Sequence, residues 1–235
     1  MGTPTKSQSR GKASGNYQAS GHKSKGKVET STREQSGKVV DIVHDPGRTA
    51  PVAVVEYENG STRNILAPEN MSVGQQVEIG VEAEIKEGNT LPIREIPEGV
   101  PIHNIELAPN DGGKMVRSSG TYAFVVTHER GESVVELPSG EFKDMNPDCR
   151  ATVGKVAGSG RKDRPLMKAG NAHHKAKGRG HTYPSVKGVS MNAVDHPFGG
   201  SARPGQPKTV SRHSSPGSKS GSVAAKRSGT GDSDE

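Results

Sequence analysis

A mainly β body made of small antiparallel barrels, with long basic arms at both ends, is the fold class that this sequence predicts. Three observations predict it. Short β-branched runs recur at close spacing between Gly- and Pro-rich turns. Apolar residues are only 29% of the 235, aromatics are 3%, and there is no Trp. That is too little apolar surface for a core spanning the whole length. Charge, finally, is segregated along the chain. Lys and Arg number 7 against 1 Asp or Glu in residues 1–33, 11 against 20 in residues 34–160, and 14 against 5 in residues 161–235. The net charge of +6 hides this division. An acidic middle with basic ends fits a folded body whose arms enter a polyanion.

Residues 1–35, mostly Ser, Gly, Lys and Gln, read as an N-terminal arm. The first strand signal is residues 37–43, closed by Asp45-Pro46-Gly47. Residues 52–57 form the next. Asn59-Gly60 then predicts a two-residue type I′ hairpin, whose two central positions need positive φ, and residues 63–66 return from it. Val77, Ile79, Val81, Ala83 and Ile85 alternate with Glu78, Gly80, Glu82, Glu84 and Lys86. This period of two predicts a half-buried strand over 77–85 with a solvated acidic face. Residues 87–101 read as a Gly- and Pro-punctuated crossover. Strands follow at 102–107, 121–128, 134–137, 141–145 and 151–156, with turns at Gly131 and Pro138-Ser139-Gly140. No useful helix is predicted before residue 160, since Gly (31) and Pro (16) interrupt the chain throughout.

From Gly158 onward the apolar pattern dissolves. Lys168, His173, His174, Lys175, Lys177 and Arg179 crowd among Gly and Ala, and Lys187 and Tyr183 follow. Lys and Arg neutralise phosphates, while His and Tyr can stack on unpaired bases. The mixture predicts insertion into RNA over a solvated linker. The same residues argue against two other chemistries. Cys149 with His173, His174 and His181 lacks the paired spacing of a structural zinc site. Ser190, Asp195 and His196 supply the residue types of a triad, yet no nucleophile elbow is present, and adjacent Asp and His rarely align base with orienter. Loop position would place His196 at the surface, hydrogen-bonding RNA or backbone. The single Cys149 excludes an internal disulfide and fits a reducing compartment. No apolar run is long enough for a membrane span, and no secretory leader is evident.

Three stretches are specific. The first is Gly88-Asn89-Thr90-Leu91-Pro92 leading to Ile96-Pro97-Glu98-Gly99-Val100-Pro101-Ile102-His103-Asn104-Ile105-Glu106. The second is Leu137-Pro138-Ser139-Gly140-Glu141 followed by Cys149-Arg150-Ala151-Thr152-Val153-Gly154. The third is Lys168-Ala169-Gly170-Asn171 followed by residues 186–200, from Val186-Lys187-Gly188 to Asp195-His196-Pro197-Phe198-Gly199-Gly200. In this order they resemble the universal large-subunit ribosomal protein two family in its archaeal form. Phe198 stands where bacterial relatives carry a second His, and Tyr183 where a Trp is expected before Pro184.

The resemblance implies an OB-fold barrel over residues 36–86 and an SH3-like barrel over 87–160. An extended basic C-terminal region over 161–235 and the arm over 1–35 would thread into rRNA. It implies a cytoplasmic structural constituent of the large ribosomal subunit, not an enzyme, with large-subunit rRNA and neighbouring ribosomal proteins as partners. Contact with tRNA and the small subunit, and support of an RNA-catalysed peptidyl-transferase centre, are further implications. The RNA-binding set is Arg10, Lys12, Lys23, Lys25, Lys168, His173, His174, Lys175, Lys177, Arg179, Tyr183, Lys187, Asn192, His196 and Arg203. No catalytic residue, protein-held metal or cofactor is expected, with Mg2+ and other cations entering only through rRNA. The alternative is a free RNA-binding translation or assembly factor on the same barrels.

Overall fold

The computed structural model describes residues 15–19, 21–129, 131–184, 186, 188–196, 198–201, 209–214 and 222–224. The chain divides into two compact units, Gly21–Leu166 and a second that joins Met1–Ser20 to Met167–Glu235. The unit Gly21–Leu166 is built on strands, as predicted. They are β1 (Gln35–Val43), β2 (Val52–Tyr57), β3 (Thr62–Leu66), β4 (Gln76–Ile79), β5 (Thr90–Pro92), β6 (Pro101–His103), β7 (Ala123–Glu129), β8 (Glu132–Glu136), β9 (Phe142–Met145) and β10 (Arg150–Val153). They form one sheet in the order β3-β2-β1-β4-β5-β10-β6-β7-β8-β9. Every pairing in it is antiparallel except β4–β5, which meet parallel at Ile79 and Thr90.

Three expectations are corrected. Where a strand over 77–85 is predicted, the strand is β4, Gln76–Ile79, and it ends at Ile79. Gly80 takes φ +154°, Glu34 receives the Val81 amide at 3.3 Å, and Val81 and Ile85 are 40% and 48% exposed. Asn89 holds the resulting loop, accepting the Glu78 amide and donating to the Glu84 carbonyl, both at 2.9 Å. The alternation therefore continues past the point where pairing stops. Next, β5 lies inside the stretch read as a crossover; Pro92 is tolerated there because β4 pairs with β5 only at Thr90 and leaves that side of Pro92 without a ladder bond to lose. Lastly, Asn59 does not take positive φ, while Gly60 does, at +74°. Tyr57 receives the Gly60 amide at 2.8 Å and donates to Ser61 at 2.9 Å. The turn is the three-residue kind that ends in a left-handed glycine.

Alternate residues of β1 to β4, with Ala67 just beyond β3, build one cluster: Val39, Ala53, Val55, Tyr57, Ile65, Ala67, Val77 and Ile79. A second cluster, including Leu91, Ile93, Ile96, Ile102, Ile105, Val125, Val135 and Ala151, lies under β5 to β10. Val28, Ala50, Val52, Leu66 and Val156 form a third, which joins residues from both halves of the unit.

Polar groups inside this unit are tied with care. Glu106 is 1% exposed and Arg150 is 8%. Oε1 of Glu106 accepts Arg150 Nη2 at 2.6 Å and the Gly112 amide at 3.2 Å. Oε2 accepts Arg150 Nε at 3.3 Å, the Arg150 amide at 3.0 Å and the Asn110 amide at 3.1 Å. A buried charge pair survives only when its remaining lone pairs and protons are satisfied in this way. His103, fully buried, donates from Nδ1 to the Gly154 carbonyl at 2.8 Å. Burial pushes its imidazole pKa down to about 4, against smaller opposing effects of the Gly154 and Leu66 carbonyls.

Residues 21–34, read from the sequence as arm, pack into this unit as a strap. Val28 bridges to Asn64 of β3, and the Glu29 amide donates to the Asn64 carbonyl at 3.0 Å. Asn104 Nδ2 donates to Thr30 Oγ1 at 3.2 Å, and Arg150 Nη1 to the Ser31 carbonyl at 2.6 Å. The strap was illegible because its Ser/Gly/Lys composition carries no period.

In the other unit, α1 (Ala169–Gly178) is a helix within a region expected to be extended. β11 (Thr209–Val210) and β12 (Ser222–Val223) form a short parallel pair.

Candidate RNA interface

The helix α1 is where the sequence-predicted cations and imidazoles gather. His173, His174, Lys175 and Lys177 lie on it, Lys168 is its N-cap and Arg179 its C-cap. None of its ten residues is buried. Its stop is a Schellman turn: Gly180, at φ +67°, donates to the Lys177 carbonyl at 3.2 Å, and His181 to the Ala176 carbonyl at 2.9 Å. Gly180 is required twice over. A Cβ there would also stand 2.7 Å from the Tyr17 carbonyl oxygen, where residues 15–19 pass. The rings of His173 and His174 meet edge to face at 5.5 Å. Cations in the last turn complement the helix dipole, and no carboxylate lies in the first. The helix is thus a solvated rod of positive and aromatic groups, suited to phosphates and unpaired bases.

The loop after it is built differently. The Asn192 carbonyl accepts the amides of Asp195 at 3.0 Å and His196 at 3.3 Å, and Met191 accepts that of Gly200 at 3.1 Å. A Cβ at Gly199 would fall 2.2 Å from the Asn192 carbonyl oxygen, so the fold of the loop needs glycine there. His196 is 8% exposed, which corrects the expectation of a surface imidazole. Its ring lies 5.0 Å from that of Phe198, and Nδ1 accepts the Phe198 amide at 3.0 Å. A neutral imidazole whose Nδ1 is an acceptor carries its proton on Nε2. It can neither receive the Ser190 proton at Nε2 nor donate from Nδ1 to Asp195, so the triad reading fails on tautomer. Asn192 is exposed on the same loop. Cys149 is buried in the β unit's second cluster. Among the described residues no three His, Cys, Asp or Glu side chains come together as a metal site.

Lys23 and Lys25 belong to the strap, both exposed. The Lys25 carbonyl accepts Asn64 Nδ2 at 2.7 Å, so β3 fixes where this lysine leaves the body. Tyr183 is 41% exposed. Arg10, Lys12, Lys187 and Arg203 lie outside the described residues.

Sequence reasoning missed a cationic site on the acidic body. Arg117 donates from Nη1 to the Gly113 carbonyl at 2.6 Å and from Nη2 to that of Val28 at 3.0 Å. Burial, then the charge of Arg48, pulls the Arg117 pKa below the usual guanidinium range. Arg48 in turn reaches the Gly26 carbonyl at 3.3 Å and lies 3.4 Å from the buried Asp45 carboxylate. The two guanidiniums thus lie within each other's field, each fastened to a carbonyl of the strap, Gly26 for Arg48 and Val28 for Arg117. Nothing in the linear charge count signals this, because the two are brought together by strap and sheet.

An acidic β body and a basic helix with no buried residue are the features expected of a protein of the RNA-binding class. The family description "Ribosomal Proteins L2, RNA binding N-terminal domain" matches residues 5–79, and "Ribosomal Proteins L2, C-terminal domain" matches residues 86–221. The chain belongs to this ribosomal protein L2 family. It is 55% identical over 238 residues to the large ribosomal subunit protein uL2 of Methanothermobacter thermautotrophicus, covering 97% of this chain and 99% of that one. It is 54% identical over 237 residues to the protein of the same name from Haloarcula marismortui, covering 98% and 99%. For that of Methanococcus aeolicus the identity is 50% over 238 residues, covering 97% and 99%.

Proposed function

We propose that the chain is a structural constituent of the large ribosomal subunit, cytoplasmic, binding large-subunit rRNA through α1, the residues that follow it and the Arg48–Arg117 pair. One observation carries the reading. A ten-residue helix with no buried residue falls short of the roughly 12–15 residues at which even favourable isolated helices become marginal in water. It needs a partner to hold it, and its charge and ring content select a polyanion with unpaired bases. The family membership and the near-full-length likeness to proteins named for the large subunit agree with that partner.

In this reading the protein contributes no catalytic group. It holds RNA that performs peptidyl transfer and that receives tRNA and the small subunit, and His196 organises its own loop. Mg2+ enters with the rRNA. Among the described residues no helix is long and apolar enough to cross a membrane. The test is sedimentation of large subunits from cells expressing the tagged chain, washed at high salt. One copy per subunit is the expected result. Loss of the chain in the wash, with the subunits otherwise intact, would identify a free assembly or translation factor instead.

A further inference from the structure

In the second unit, residues 15–19 and the chain leaving α1 enclose a cleft of about 340 Å³. Gln18 stands on one wall, and His173, Lys177, His181, Thr182 and Tyr183 on the others. His173 and Lys177 reach the same side because they are four residues apart on a helix. The glycine turn at Gly180 then reverses the chain and brings His181, Thr182 and Tyr183 round to face them. Gly15 and Gln18, on the segment whose Tyr17 carbonyl passes close to Gly180, supply the remaining wall.

The size is at the low end of small-ligand pockets, on the order of 300–1,000 Å³. It admits one planar base with its sugar and phosphate. The lining holds three rings, one ammonium, two hydroxyls and one side-chain amide, with no carboxylate. Rings stack on an unstacked base, the ammonium takes a phosphate, and hydroxyl and amide groups can read a base edge or a 2′-hydroxyl. An apolar peptide finds few alkyl groups here, and the lining offers no cluster of metal ligands.

We propose that this cleft receives one unpaired ribonucleotide of the large-subunit rRNA, its base against Tyr183 and its phosphate at Lys177. The proposal rests on the rRNA-binding reading above and adds a single-nucleotide site to it.

The test uses the full chain assembled into large subunits. Chemical probing of the rRNA reports each unpaired, accessible base, and ultraviolet cross-linking followed by mass spectrometry identifies the attached peptide. One unpaired nucleotide should be protected in subunits carrying the parent chain and should cross-link to the peptide holding His181 and Tyr183. Tyr183→Phe should keep that protection; Tyr183→Ala should lose it at that nucleotide alone. On an rRNA fragment containing the position, Tyr183→Ala should lower affinity about tenfold at fixed salt. Lys177→Ala should instead make the logarithmic salt slope shallower by about 0.7–0.9. Subunits that retain the Tyr183→Ala chain with an unchanged probing pattern overturn the cleft proposal and leave the rRNA-binding reading standing. Cross-links spread over paired positions overturn it as well, as does adenosine monophosphate binding the free chain as tightly as the fragment does. Failure of even the parent chain to enter subunits overturns the reading beneath it.

Discussion

Glu106 gathers five donors on one buried carboxylate, three of them backbone amides. Arg150→Met removes the guanidinium but leaves those amides paired. We expect it to cost about 3–5 kcal/mol, the usual penalty for breaking a buried pair. Glu106→Met should cost more, because it orphans a guanidinium and three amides together. Urea denaturation of both variants decides the order, and equal midpoints would refute the account. His103 gives a pH signature. Its folded pKa of about 4 lies below the ordinary 6.5, so the unfolded chain takes up the proton first as pH falls. Stability from this group is complete above about pH 6.5 and declines toward about pH 4, by roughly 2 kcal/mol between pH 6.5 and 5. His103→Gln should flatten that stretch of the stability–pH curve. At His196, His196→Asn can still offer an acceptor to the Phe198 amide, whereas His196→Ala cannot. Slow hydrogen exchange at Phe198 should survive the first change and not the second. None of these roles is legible in sequence. The stretch from His103 to Glu106 marks a family, but Glu106 meets its guanidinium 44 positions away.

Elements were legible where local chemistry alone ended them. β2 stands where it was predicted because Pro51 and the Glu58–Gly60 turn punctuate it at both ends. The stretch 80–86 misled because a period of two describes any chain that alternates, paired or not; only Gly80 hinted at the break. The helix α1 carried its own signals, with alanines, basic residues in the last turn and Gly180 beyond. It was overlooked because it has no apolar stripe. That same lack makes a prediction. In free protein the α1 amides should exchange at nearly the unfolded rate, while those of β2 and β10 stay protected. Addition of rRNA should slow α1 selectively. Equal protection of α1 before and after RNA would mean that the helix is held by the protein itself.

For the molecule as a whole, the division into an acidic body and basic ends was readable from charge counts, and the family from three ordered motifs. The boundary of the body was not. Residues 21–34 look like tail in composition, yet Val28, Thr30 and Ser31 among them are buried in the body, so protection in hydrogen exchange should begin near the strap. Residues 167–235 carry 11 of the 32 Lys and Arg residues. Removing residues 167–235 should flatten the salt dependence of rRNA binding, since each phosphate neutralised contributes about 0.9 to the logarithmic slope on duplex. A slope that does not change would assign the affinity to the body instead. The strap has a further consequence, for synthesis. The Ser31 carbonyl waits for a donor, Arg150 Nη1, that is made 119 residues later. At about 5–20 residues per second that is roughly 6–24 s of translation. The strap can dock on β3 as soon as Asn64 has emerged, but its last latch, at Ser31, stays open until strand β10 is made.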